Sequence, residues 1–209
     1  MSTNIHPPIK IDEIEPITQG QVRRIFNRFE VKCLRGFLAK KPTQEVLEEE
    51  GDALVQDMFV LLRARVERRS NMIVRHFKVD RTKSRQEMLD ATGRTQYVDK
   101  NVLATMPVDG PEEGDLYFFP VKRYLPFEEA DKEFDSRCLI PDPAAQAQVN
   151  ADDPSFADEH PNGVQWGLKN GVVSFLSFYR WHGGRDVDVN RCGSAWRDDT
   201  WLAGRRKNQ

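Results

Sequence analysis

Long hydrophobic runs are absent from this chain of 209 residues. No stretch approaches the ~18 uninterrupted apolar residues that would span a bilayer, and the longest apolar runs, such as MFVLLRARV, are broken by charge. The first residues, MSTNIHPPIKIDEIEPITQG, lack a basic segment followed by an apolar one, so they do not read as a secretory signal. Cysteine is scarce: Cys33, Cys138 and Cys192 are odd in number and far apart. That spacing fits neither a disulfide framework nor a metal knuckle, and thiols of this kind are expected in a reducing cytosol. A cytoplasmic protein with no membrane partner is the expectation. Phosphate-cradling glycine loops, HExxH, GxSxG and CxxC are also missing. No catalytic set, metal site or cofactor is assigned from motifs.

What is present supports folding. The length corresponds to one domain, or one with a small appendage. Hydrophobic content is 39% and charged content 31%, wetter than an average globular chain. An aromatic content of 10% is too high for a disordered one.

Residues 1–17 are proline-bearing, acidic and aperiodic, and read as an extended arm. From Gln19 to Lys40, Val22, Ile25, Phe26, Phe29, Cys33, Leu34, Phe37 and Leu38 recur at helical spacing. Lys41-Pro42 is expected to end that helix, with Thr43 capping a second one whose stripe is Leu47, Leu54, Val55, Met58, Leu61, Leu62 and Val66. Residues 18–69 thus read as a helical hairpin, whose phenylalanine-rich face could serve a homo-oligomer.

The period changes near Asn71. MIVRHFKVDR alternates as a half-buried strand, and SRQEMLDATGR reads as a short helix closed at Gly93. LYFFPVKRY reads as a strand demoted to an edge or bulge by its proline. The segment from Ile140 to Gly163, with its prolines, reads as a long acidic loop holding at most one helical turn near Ala144–Val149. GVVSFLSFYRW, a turn at HGGR and DVDVNR form a hairpin expected at the centre of a sheet. The fold class is therefore α+β: a helical hairpin, then a mixed domain over 70–209 with a mostly antiparallel sheet.

Charge is segregated. Residues 63–85 carry nine bases against two acids, net +7, and residues 109–169 carry fourteen acids against five bases, net −9. Three candidate chemistries follow. The tryptophans, Trp166, Trp181, Trp196 and Trp201, all lie in the last 44 residues among Arg180, Arg191, Asn190, Asp198 and Asp199. Trp, Tyr and Arg are the usual anchors of binding hot spots, so Trp181, Trp196 and Trp201 would give contact area and the polar residues specificity. Buried core tryptophans are the plain alternative. Arg23, Arg24, Arg28 and Arg35, with Arg68 and Arg69, form a basic face able to bind nucleic acid through phosphate contacts, against an overall pI of 6.1. His160 beside Asp158 in the acidic segment is the third candidate, a metal-dependent hydrolase or nuclease.

Three strings carry a resemblance: Leu89-Asp90-Ala91-Thr92-Gly93-Arg94-Thr95-Gln96-Tyr97; Phe156-Ala157-Asp158-Glu159-His160-Pro161-Asn162-Gly163 with Trp166; and Val187-Asp188-Val189-Asn190-Arg191 with Trp196, Asp198, Ala203-Gly204 and Arg205. Together they resemble an uncharacterised family of small bacterial proteins over about residues 70–207. That resemblance implies no activity and brings no catalytic residues. The ending, paired strands then W-x-D-x-W-x-A-G-R-R, is similar to the final strands of C-type-lectin-like folds, shared by formylglycine-generating enzymes and the variable proteins of diversity-generating retroelements. The paired active-site cysteines of the former have no counterpart, since Cys192 stands alone in this region, and the asparagine-rich stretch of the latter is reduced to Asn190. The likeness implies a display surface without oxidase chemistry. Taken together, a non-enzymatic binding protein for a protein or small ligand is the leading expectation.

Overall fold

A computed structural model describes residues 17–36, 38–67, 71–169 and 172–207. Most of the N-terminal arm, Phe37 and the expected basic residues Arg68 and Arg69 lie outside the described residues. The described chain divides near residue 70 into two compact units, one helical and one α/β. No helix among the described residues is long and apolar enough to cross a membrane.

The helical unit contains α1 (Gln19–Arg35), α2 (Lys40–Glu49) and α3 (Gly51–Glu67). Thr18 and Gln21 close a capping box at the start of α1: the Gln21 amide donates to the Thr18 hydroxyl, and the Thr18 amide donates to Gln21 Oε1. α1 stops at Arg35, earlier than its periodicity predicts. Pro42 falls inside the first turn of α2 rather than before a helix. That position tolerates proline because its N–H would have no intrahelical partner. Thr43 is not the cap; its hydroxyl donates back to the Ala39 carbonyl. The long second helix is divided where Glu50 leaves helical geometry ahead of Gly51. Neither α1 nor α2 buries a residue.

The α/β unit is α+β, as its pattern predicts. Its elements are β1 (Ile73–Lys78), α4 (Arg85–Asp90), β2 (Thr95–Val98), α5 (Lys100–Leu103), β3 (Glu113–Pro120), β4 (Leu125–Pro126), α6 (Phe127–Ser136), β5 (Leu139–Pro141), α7 (Pro143–Asp152), α8 (Phe156–Glu159), β6 (Asn162–Lys169), β7 (Val172–Trp181), β8 (Gly184–Cys192), β9 (Ala195–Trp196) and β10 (Trp201–Arg206). The main sheet runs β1-β3-β10-β6-β7-β8-β2, with β5 also on β10. β10–β6 and β8–β2 are parallel; the other ladders are antiparallel. The β7–β8 hairpin is therefore off centre, and β6 holds the middle. β3 is paired on both sides, not an edge, because Pro120 occupies its last position and removes no interior ladder bond.

Alternation assigns each strand residue to a face. Ile73, Phe77, Leu116, Phe118, Val164, Leu176, Phe178, Val187 and Val189 share one core with side chains from α4, α5, α7 and α8. Tyr117, Phe119, Val173 and Leu202 share the other with Leu125, Phe127, Ala130, Phe134 and Trp196. The segment expected as an acidic loop contains α7, a ten-residue helix buried over most of its length. Pro143 opens it and the Asp142 carboxylate accepts from Ala145 N. That carboxylate also joins Arg81 at 2.7 Å and Arg205 at 3.0 Å, and it is 2% exposed. Polar residues on a buried helix need internal partners. Gln146 and Asn150 find one in Asn162 of β6, whose amide oxygen accepts from both.

Candidate ligand cleft

The hairpin turn sets the geometry of the candidate site. His182 and Gly183 both have positive φ, 47° and 86°, the backbone of a two-residue turn that matches strand twist. It pairs Trp181 with Gly184, and from there Tyr179 with Asp186, Ser177 with Asp188 and Phe175 with Asn190. These residues share one sheet face. Beyond them, the segment from Cys192 to Thr200 rises over the face. Trp196 anchors it: the indole N–H donates to Gln165 Oε1 at 2.8 Å, and the ring meets Phe127 and Phe175 edge-on. A Cβ at Gly163 would lie 2.4 Å from the Trp196 ring, so glycine is required there for the ring to reach the sheet.

Between the raised segment and the strands lies a cleft of about 460 Å³, within the usual range of small-molecule sites. Its inner end is apolar, formed by Phe127, Phe175 and Trp196. Ser177, Tyr179 and Asp188 form its polar floor, and Trp181, Arg180, Arg197 and Asp199 stand at its rim. Trp181 is 58% exposed. Asp188 is half-buried, and loss of water pushes its carboxyl above the usual carboxylate range, an effect opposed by a hydrogen bond from Asn190 Nδ2. Asn190 also donates to the Tyr97 carbonyl. Burial raises the Tyr179 phenol, and the charges of Asp188 and Asp186 push it the same way. Behind the floor, the buried Arg94 guanidinium donates to the Tyr179 and Pro154 carbonyls and fixes β7 from its other side.

The residues expected at a binding surface separate. Trp181, Arg180 and Asp199 line the cleft, and Asn190 holds the floor carboxylate. Trp196, 5% exposed, is a core side chain whose ring also forms the inner wall of the cleft. Trp201 packs against the opposite core, and its ring meets His160 at 5.0 Å. Arg191 pairs across from Ser174 and therefore points to the other face. Asp198 is exposed outside the lining. Phe175, Ser177 and Tyr179 join the site with no motif to mark them. Strand alternation alone carries their signal.

His160 is buried among Phe156 and Trp201 rather than held in an open loop. Asp158 is taken by Arg185, through two nitrogens, and by Arg180. Among the described residues, no three His, Cys, Asp or Glu side chains gather as metal ligands. Two further depressions of about 610 Å³ lie elsewhere on the α/β unit. In one of them Arg81 and Arg85 already donate to backbone carbonyls; in the other the Trp166 indole N–H is taken by Thr105. No family model, no curated protein and no solved structure matches the chain. The cleft is read from its own chemistry.

Proposed function

We propose that this α+β protein is a non-enzymatic binding protein whose ligand enters the cleft between β7–β8 and the segment 192–200. One observation carries the reading: a concavity of ligand size in which an apolar end, a half-buried carboxylate and an exposed indole converge. An apolar lining with few oriented polar groups is the usual composition of a small-molecule site. The ligand on this reading is small and amphipathic, or the side chain of a peptide, with its hydrocarbon part against Phe175 and Trp196. Saturation-transfer NMR with a mixed library of small polar–aromatic compounds tests this. Hits are expected that vanish when Ser177→Phe fills the floor while the thermal melt persists. Hits unchanged by that substitution would overturn the reading.

A second reading, nucleic-acid binding through α1, has its own support. Arg23, Arg24, Arg28 and Arg35 are all exposed, and no ion pair among the described residues engages them. Such a face would bind phosphates without sequence preference. Retention on DNA or RNA at low salt, abolished by charge reversal at Arg23, Arg24 and Arg28, is its expected outcome. Absence of retention at low salt would end it.

A further inference from the structure

We infer that the cleft ligand carries a small organic cation, of the ammonium class, seated against the Asp188 carboxylate beside the Tyr179 ring. The inference rests on the cleft being a ligand site and adds the charge of what it takes. The charged groups around the cleft are unequally matched. Arg197 is paired with Asp199 at 3.2 Å, and Arg180 reaches, at 3.6 Å, an Asp158 carboxylate that Arg185 already holds through two nitrogens. Asp188 has the neutral Asn190 amide and, among the described residues, no basic partner. Asp186, buried two positions earlier on the same strand face, interacts with the charge of Arg94. A carboxylate partly withdrawn from water without a cation is unfavourable. A cationic ligand supplies the missing charge.

The walls suit the same group. Electron-rich ring faces attract ammonium ions, most strongly where water is excluded. Tyr179, paired with Asp186, lies diagonally beside Asp188 on the same face, and the Asp188 charge acts on its phenol. The apolar end at Phe127, Phe175 and Trp196 lies in the same cleft and accepts a hydrocarbon body. An anionic ligand would meet an unneutralised carboxylate, and a neutral one would leave it unneutralised. Loss of water pushes the Asp188 carboxyl upward, and the charge of a bound cation would act the other way.

Three probes of similar size separate the possibilities on the full chain: 2-phenylethylammonium, 2-phenylethanol and 3-phenylpropionate, titrated by calorimetry at one ionic strength near neutral pH. The ammonium is expected to bind most tightly. Asp188→Asn, which keeps an acceptor for Asn190, is expected to weaken it about tenfold or more and to weaken the alcohol much less. Tyr179→Leu is expected to narrow the preference for the cation without abolishing binding of the alcohol. Binding of the alcohol or the carboxylate as tightly as the ammonium would overturn the cation inference and leave the cleft reading standing. Binding of none of the three would overturn both.

Discussion

The helical unit and the α/β unit hold their apolar side chains in opposite ways. Phe26, Leu34 and Phe59 are 58%, 78% and 54% exposed, whereas Phe118, Leu176 and Phe178 show no exposed surface. α1 is defined by local devices: a capping box, helical periodicity and basic residues in its last turn. The sheet is defined by partners distant in sequence, since β10 joins β3, β5 and β6. Local hydrogen bonds suffice to shape a helix, but only burial fixes where each side chain stands. The candidate site belongs to the unit where burial does that work.

Substitution should expose the contrast most sharply at Asp142. Its buried carboxylate serves Arg81, Arg205 and the start of α7 at once. Asp142→Ala leaves two guanidiniums without their acid and is expected to cost about 3–5 kcal/mol in urea unfolding. A loss below about 1 kcal/mol would show that the cluster is not the clamp its geometry implies. Gly163→Ala comes next: the added methyl collides with Trp196 and is expected to cost about 1–3 kcal/mol through overpacking. It should also distort the inner wall of the cleft, so ligand hits and stability fall together.

Asp158 gives a smaller effect with a pH signature. Hydrogen bonds from Arg185 hold its carboxyl below the usual range, helped by the charges of Arg180 and Arg94. A carboxyl lowered on folding stabilises the native state above its unfolded value, about 3.9, and loses that contribution as pH falls through the folded value. Relative to Asp158→Asn, the parent should be more stable near neutrality, and the gap should close on acidification. A gap that widens toward acid would contradict the pairing. In the helical unit, Leu34→Ala is expected to change stability by no more than about 0.5 kcal/mol, because Leu34 buries so little surface. A loss of several kcal/mol would mean that α1 has a packed partner in solution.

Legibility in the sequence followed the same division. Periodicity placed α1 and the capped helix before Gly93, and alternation placed β1, β7 and β8. It also fixed which residues share the cleft floor. Pairing Ser177 with Asp188 or with Asn190 leaves the same alternate residues on that face, so the floor survives an error of two in register. α7 was hidden because it is buried nearly all round, with alanines and internally paired amides in place of an apolar stripe. Its prolines read as loop formers, although Pro143 after Asp142 is also how a helix begins. Trp196 could not be assigned to core or surface from its neighbours in sequence. Its position depends on the missing side chain at Gly163 and the amide of Gln165, thirty-odd residues earlier.

The central claim, that the cleft is where this protein meets its ligand, is most directly tested by mapping amide and indole chemical shifts of the full chain during titration with 2-phenylethylammonium. Perturbations are predicted to concentrate at Ser177, Tyr179, Trp181, Asp188 and Arg197, with Arg191 and Trp201 on the opposite face unmoved. Shifts centred on that opposite face or on α1, or no shifts with this ammonium, with 2-phenylethanol or with 3-phenylpropionate, would contradict the account.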